Sequence, residues 1–443
     1  MENSNEQNDR FVRQTIRKKP VNKGKILKRI MATIVLAVVF GAIACVTFFV
    51  MEPILNGVVK PDRIARISFP EEDIPVENLL TEESKAQKEQ ENKEEALEAA
   101  RQEAAREIAR ETIVEESEES GLKALSQAYE EMSLLAKEAQ SCLVTVVATN
   151  SAQDWLLGPY EEKQSFTGVI VADNTQDLII LADLEDREGS SYTVFFNDGY
   201  FVESQMLRRD EYTGLAIFTV PMNQIPYSSR EEMSIASLGS SYTALLGSPV
   251  IAIGSPQGVS SSVSYGIITS NNLQLQATDA NYGVIYTDIS GPEDASGVLI
   301  NLDGSVVGMI DKKAKQLTSS EEIAAIGISE IKGLIAKLSN DEDRAYFGVK
   351  GTGVTQQVHD QLSLPFGAFV TEVEPDSPAM QAGIRNGDII VKIGEETVSS
   401  FRELRTVLLT LEPSEIENVL IMRSNGDEYE EMQVEVLFGN AGQ

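Results

Sequence analysis

The chain has 443 residues, of which 37 are Lys or Arg and 69 are Asp or Glu, so its formal charge is −32. This charge excludes nucleic-acid binding for the bulk of the chain, because a phosphate backbone must be met by Lys and Arg. With two cysteines and one histidine, His359, the chain cannot form a disulfide framework or a typical zinc site. We therefore expect no cofactor, no metal and no nucleic-acid partner.

The N-terminal segment predicts a membrane anchor. Residues 1–29 hold nine basic and three acidic residues, and residues 30–51 form a run of 22 residues without a charge. Such a run is long enough for one helix across a hydrocarbon core of about 30 Å, and the basic flank should stay cytoplasmic. We expect a single-pass protein of the cell membrane whose bulk is extracytoplasmic. The alternatives are a cleaved signal peptide or lipoprotein processing at Cys45.

An acidic spacer is expected over residues 52–137. Residues 70–120 contain 18 acidic and six basic residues, and their Glu, Ala, Lys and Arg content favours helix. No apolar heptad persists, so the simpler interpretation is a solvated helical or disordered stalk, and the alternative is a weak coiled coil that pairs two copies. A more amphipathic helix is predicted over residues 122–140.

Residues 138–338 are predicted to be mainly β. Short runs rich in Val, Ile, Phe and Tyr are separated by Gly, Asn, Asp and Ser, a pattern typical of an all-β barrel or sandwich. Hairpin turns are predicted at residues 197–199 and 303–304. A helix over residues 328–338 should close this domain.

A second small domain is predicted over residues 344–437, after a short polar linker at residues 340–343. It mixes short strands with two helical stretches, near residues 354–362 and 400–411. This mixture indicates an α+β domain.

Two motifs in the second domain resemble those of a PDZ domain. Residues 346–349 read Tyr-Phe-Gly-Val, and residues 377–390 read Ser-Pro-Ala-Met-Gln-Ala-Gly-Ile-Arg-Asn-Gly-Asp-Ile-Ile. They are similar to the PDZ domains attached to HtrA/DegP-like bacterial serine proteases. The β domain resembles the trypsin-like double barrel of the same family, on stretches such as residues 247–256 and 297–309. The resemblance implies a trypsin-fold domain followed by a PDZ domain.

The catalytic positions depart from the family pattern. A serine protease needs a hydroxyl nucleophile, a histidine that takes its proton and a buried carboxylate that orients the histidine. The resemblance puts Leu184 at the histidine position and Gly214 at the aspartate position. The nucleophile falls on Ala295 or on Ser296, depending on which flanking strand the count starts from. We predict a pseudoprotease, and the alternative is an active endopeptidase with an atypical site that uses Ser296.

Peptide binding is the activity that the PDZ resemblance still implies. PDZ domains add an extended peptide to a sheet edge and capture its C-terminal carboxylate with backbone amides. By resemblance, the loop and strand are Tyr346, Phe347, Gly348 and Val349, and Leu404 lines the pocket. The expected partners are peptides or C-termini of extracytoplasmic proteins, in quality control or as a scaffold. The family's barrel domains often form trimers, so a homo-oligomer is also expected.

Overall fold

The computed structural model describes residues 65–70, 117–154, 158–184, 190–318, 320–362, 364–426 and 428–441. The predicted basic tail and membrane span, residues 1–29 and 30–51, lie outside these ranges, as does most of the acidic spacer. Within the described ranges, no helix combines the length and the apolar character that a bilayer crossing requires.

A long helix, α1 (Ser117–Ala139), leads into the β domain. It confirms the amphipathic helix predicted over residues 122–140. Ala136 is buried, and Met132 and Leu135 pack partly against the same core, whereas Leu122 near the start of the helix is exposed. The helix is therefore held against the domain by its C-terminal half.

Six antiparallel strands close a first barrel in the order β1-β2-β3-β6-β5-β4. The strands are β1 (Leu143–Asp154), β2 (Gly158–Asp173), β3 (Asp177–Asp183), β4 (Ser191–Phe195), β5 (Phe201–Arg209) and β6 (Leu215–Pro221). The predicted turn at residues 197–199 joins β4 to β5, and there the Gly199 N–H donates to the Phe196 carbonyl at 3.0 Å. In β3 the interior residues are buried on both faces, because one face lines the barrel and the other packs outside it.

A short helix, α2 (Tyr227–Glu232), precedes a second closed barrel with the order β10-β11-β12-β9-β8-β7. Its strands are β7 (Pro249–Ser255), β8 (Ser262–Ala277), β9 (Ala280–Ser290), β10 (Ser296–Ile300), β11 (Val306–Ile310) and β12 (Glu322–Gly327). Helix α3 (Lys312–Lys315) precedes β12, and α4 (Ile328–Ser339) follows it as predicted. One apolar cluster contains side chains of both barrels. The prediction of a mainly β double barrel is confirmed.

The C-terminal domain is built on a sheet with the path β14-β15-β16-β18-β19, and β14 lies at its edge. Its elements are β13 (Ala345–Tyr346), β14 (Val349–Gly353), α5 (Gln356–Leu362), β15 (Ala368–Val373), α6 (Pro378–Gln381), β16 (Ile389–Ile393), β17 (Glu396–Thr397), α7 (Phe401–Thr410), β18 (Ile416–Ser424), β19 (Tyr429–Leu437) and β20 (Gly439–Asn440). Helices α5 and α7 were predicted, whereas the short α6 was not. Phe347, Phe401 and Phe438 are fully buried in the core of this domain.

The polar linker at residues 340–343 is fastened to the fold. Arg208 of β5 forms ion pairs of 2.6 Å with Asp341 and with Asp343. The Asn340 side chain bonds to both the N–H and the carbonyl of Ile67, whose side chain is buried. The predicted spacer is therefore not solvated throughout, since residues 65–70 dock onto the domain.

Candidate active site and peptide groove

The residues at the expected histidine and aspartate positions are neighbours. Leu184 directly follows β3, and its N–H donates to the Gly214 carbonyl at 3.2 Å. The Leu184 side chain is 3% exposed and lies in the core of the first barrel. Gly214 has a φ of +85°, and a Cβ built there would lie 2.8 Å from Asp183 Oδ1. Neither residue offers a group that can accept or orient a proton.

The two candidate nucleophile positions lie where β10 begins. Ser296 is the first residue of that strand, and its Oγ lies 3.1 Å from Thr167 Oγ1 and accepts from the Thr167 N–H at 3.3 Å. Ala295 is buried and packs into the second barrel. Only Ser296 carries a hydroxyl, and its hydrogen-bond partner is a threonine of the first barrel, which cannot serve as a base.

In the loop before β10, backbone polar groups are already hydrogen-bonded within the chain. The Ala295 N–H donates to the Pro292 carbonyl at 3.2 Å, and Lys315 Nζ donates to the Gly291 carbonyl at 2.6 Å. Gly297 has a φ of +129°, and a Cβ there would lie 2.1 Å from the Ile253 carbonyl oxygen. An amide satisfied within the loop is not free to stabilise a developing oxyanion, which requires donors aimed at the substrate.

A carboxylate pair that no sequence motif predicted lies beside the expected histidine position. Asp183 ends β3, whereas Asp311 is buried and caps α3 by accepting from the Ala314 N–H at 2.6 Å. Asp311 Oδ2 has no hydrogen-bond donor in the described part of the chain. Burial, and then the charge of Asp311, raises the pKa of Asp183 to about 7, and burial raises the pKa of Asp311 to about 6. When two buried carboxylates lie near each other, the protonated form of a carboxyl is favoured, because burial and the neighbouring negative charge both disfavour its ionised form.

The expected carboxylate-binding loop surrounds one of the chain's own carboxylates. Asp279, in the turn between β8 and β9, accepts from the N–H groups of Phe347 at 2.7 Å, Gly348 at 2.8 Å and Val349 at 2.9 Å. Burial raises the pKa of the Asp279 carboxyl, although these three amides and the Arg344 guanidinium favour its charged form. The donors that the sequence analysis assigned to a ligand are therefore used within the chain.

One further expectation for the PDZ segment needs correction. Leu404 was expected to line the peptide pocket, but it is fully buried in the domain core, on the face of α7 that also presents Phe401 and Leu408 to that core. His359 is half-buried in the same domain. Its Nδ1 lies 2.6 Å from the Leu364 carbonyl, and its ring stacks on Phe366 at 4.3 Å. Tyr346 is the last residue of β13 and directly precedes the loop.

Comparison with known proteins supports both domains. Residues 166–309 match the family model of the trypsin-like peptidase domain, and residues 369–420 match that of the PDZ domain. The "Probable periplasmic serine endoprotease DegP-like" of Halomonas elongata is 28% identical over 278 residues, which cover 61% of this chain and 56% of that protein. The "Serine protease Do-like HtrA" of Lactococcus lactis is 28% identical over 300 residues, 62% of this chain and 72% of that protein. In a trypsin-like domain followed by a PDZ domain, the chain is similar to these HtrA/DegP-like proteins.

The solved structure titled "HtrA-type protease AlgW with decapeptide" shares the fold of this HtrA-like chain. It aligns with a TM-score of 0.50 and 21% identity over 69% of this chain and 98% of that one. The HtrA-like chain spans 56% of the length of its Halomonas relative. The relatives' names therefore describe proteases that are similar in the barrels and the PDZ domain, and leave the activity of this chain to be argued from its own residues.

Proposed function

We propose that this chain is a membrane-anchored, extracytoplasmic HtrA-like pseudoprotease that binds peptides or unfolded proteins through its PDZ domain. One observation carries the pseudoprotease part. Leu184, at the position that the family resemblance assigns to the histidine, points its side chain into a barrel core. Without triad members, a trypsin-like site retains only about 10³–10⁴-fold catalysis over water.

The remaining candidates for a base support the same proposal. A serine hydroxyl is a weak nucleophile until a base activates it, and Ser296 Oγ is engaged with Thr167. The chain has one histidine, His359, and it contacts Leu364 and Phe366 within the PDZ domain. Lys313 Nζ donates to the carbonyls of Glu211 and Tyr212.

A fluorophosphonate probe tests the pseudoprotease proposal. The full-length chain, purified in detergent, should show no more covalent labelling and no more casein cleavage than its Ser296→Ala variant. A Ser305→Ala variant controls for unspecific serine modification, because Ser305 lies in the distant turn between β10 and β11 and bonds to Ser237. Labelling that disappears in Ser296→Ala but persists in Ser305→Ala would favour the active, atypical endopeptidase.

The peptide-binding part rests on the matched PDZ domain and on the amide donors of the loop at residues 347–349. The related AlgW protein is described as solved with a decapeptide. For this chain, the proposed ligand is a peptide with a free, apolar C-terminus that adds to the edge of the PDZ sheet. A few strand hydrogen bonds and one buried side chain, less the ordering cost, correspond to an affinity on the order of micromolar. A screen of decapeptides with free or amidated C-termini measures it, and equal binding of the two forms would contradict carboxylate capture.

The membrane anchor is proposed from the charge pattern of residues 1–51. Protease added to intact cells should remove the PDZ domain and spare an epitope placed before residue 30. A PDZ domain that stays protected while a known surface protein is digested would overturn the proposed topology.

A further inference from the structure

The hairpin tip, defined as residues 278–281 between β8 and β9, lies along the edge of the PDZ sheet. The Asp279 N–H donates to the Val349 carbonyl at 2.8 Å, and Asn281 Nδ2 donates to the Gly351 carbonyl at 2.9 Å. The carbonyls of Val349 and Gly351 therefore face the open edge of β14, on either side of the irregularity that the β14–β15 pairing shows between Lys350 and Gly351. These are the groups that an added peptide strand would use.

The carboxylate of the tip sits where the end of such a peptide would sit. Both Asp279 oxygens accept from the loop amides, and the Gly348 N–H lies within 3.0 Å of each of them. The side chain is 4% exposed, so water does not compete for these donors. A C-terminal carboxylate carries the same charge and the same two oxygens, and therefore needs the same three N–H groups.

The tip also fills the space between β14 and helix α7. Ala280 is fully buried, and Arg405 of α7 donates to the Asn281 carbonyl at 2.7 Å. The Arg405 guanidinium lies 5.2 Å from the centre of the Tyr282 ring and forms a 2.7 Å ion pair with Glu330 of α4. The groove thus has contacts with the tip at its strand, its loop and its helix.

We propose that the hairpin tip is an internal ligand of the PDZ domain, and that a peptide with a free C-terminus binds only after the tip has left the groove. The proposal rests on the proposed peptide-binding function and concerns its regulation. A peptide and the tip cannot share one set of amide donors, so their binding is competitive. The apparent dissociation constant then equals the intrinsic one divided by the open fraction. Because the tip belongs to the second barrel, a peptide can bind only when the PDZ domain has separated from that barrel. Peptide binding and domain separation are therefore coupled in one equilibrium.

Substitution of Asp279 tests this competition. Asp279 has a φ of +63°, which Gly tolerates without strain and Asn better than other side chains. Asp279→Gly removes the carboxylate, and Asp279→Asn keeps its shape while it turns an N–H₂ group toward the loop donors. The matched control is Asp376→Asn, at an exposed aspartate with a φ of +58° in the same domain.

The probe is a pool of fluorescein-labelled decapeptides with a Gly-Ser spacer, four randomised C-terminal residues and a free carboxylate, with the amidated pool beside it. Binding to the full-length chain is measured by fluorescence anisotropy. Both Asp279 variants should bind the free-carboxylate pool at least tenfold more tightly than the wild type and the Asp376→Asn variant. Asn281→Ala, which loses the bond to Gly351, should show a smaller gain, and it replaces the Asp279 variants if they fail to fold.

The outcomes separate this proposal from the one it rests on. If the wild type and the tip variants bind the free-carboxylate pool equally, the internal ligand is overturned and peptide binding stands. If no variant prefers free over amidated peptides, peptide binding itself fails, and the internal-ligand proposal falls with it. A gain that appears equally in Asp376→Asn would also overturn it, because that residue does not touch the groove.

Discussion

The candidate active site and the groove of the PDZ domain differ in the groups that they offer to a substrate or a ligand. At the candidate active site, a buried leucine and a glycine occupy the positions that the family resemblance assigns to a base and its carboxylate. In the groove the chemistry is present, but Asp279 already accepts from the loop amides. No motion can supply an absent imidazole, whereas departure of the hairpin tip, as proposed above, would free three N–H donors. A lost site is therefore visible in the sequence motif, whereas a closed site keeps its motif, and only the closed site can be reversed by a motion.

Breaking the junction that closes the groove should have the largest effect. The Arg405→Ala variant removes the 2.7 Å ion-pair partner of Glu330, whose side chain is 3% exposed, and leaves that carboxylate with Arg402 as its remaining partner. Removing one member of a buried pair costs about 3–5 kcal/mol when the other charge stays buried without compensation. Because Arg402 remains, we expect a loss at the lower end of this range in the free energy of unfolding, measured by urea titration with circular dichroism.

Arg402→Ala is the matched control for this loss. Arg402 contacts the same carboxylate at 3.0 Å, but its own side chain is 29% exposed, so solvent screens more of its interaction with Glu330. Its loss should be clearly smaller than that of Arg405→Ala. Equal losses would mean that the buried position of Arg405 does not set the strength of this junction.

An aspartate introduced at position 214 should not restore proteolysis and should lower the thermal stability of the chain. The Gly214→Asp variant imposes a side chain at a φ of +85° and brings a second carboxylate toward Asp183. A non-glycine residue in such a region costs about 1–3 kcal/mol. Gly214→Ala carries the same backbone strain without the charge, so thermal denaturation should rank wild type above Ala and Ala above Asp. A Gly214→Asp variant as stable as the wild type, or one that hydrolyses casein, would show that the candidate active site is repairable.

The Asp183–Asp311 pair should give a smaller effect that depends on pH. The pKa of Asp183 is raised from 3.8 to about 7 in the folded chain, by burial first and then by Asp311. Its stabilising contribution is therefore complete below about pH 4 and is lost as the pH rises through about 7.

Urea titrations between pH 4 and pH 8 measure this dependence. The free energy of unfolding of the wild type should fall relative to Asp183→Asn, by at most about 1.4 kcal/mol per pH unit. Asp177→Asn, at the other end of β3, should follow the wild type. Parallel profiles for the wild type and Asp183→Asn would contradict the raised pKa.

Much of the fold could be predicted from sequence, because its signals are local. Alternating apolar runs and turn residues predicted the barrels, and residues 377–390 carry a long motif of the PDZ domain. The closed groove could not be predicted in this way. Asp279 is some 70 residues from the amides that it contacts, and an Asp in a turn has no local signal for a distant partner. The Asp183–Asp311 pair could not be predicted for the same reason, because its two members stand at the ends of separate apolar strands that are far apart in sequence.

Leu404 shows a different limit. The resemblance correctly predicted helix α7 near the groove, but the orientation of one side chain depends on which face of the helix meets the core. Phe401, Leu404 and Leu408 recur at helical spacing and all face inward. Of the charged residues between them, Arg405 is the one that donates to the hairpin tip.

The docked segment at residues 65–70 has a mechanical consequence. Ile67 is bonded to Asn340, and Arg66 pairs with Glu342 at 2.7 Å, so the incoming chain is fastened to the four residues that connect the barrels to the PDZ domain. The same segment is also held by the first barrel, because the Ala65 N–H donates to the Asn174 carbonyl at 3.1 Å and the Ile67 side chain is buried in the core that both barrels share. A pull on the chain at residue 65 is therefore shared between the barrel and the linker, and it reaches the joint between the domains through the side chains of Asn340 and Glu342.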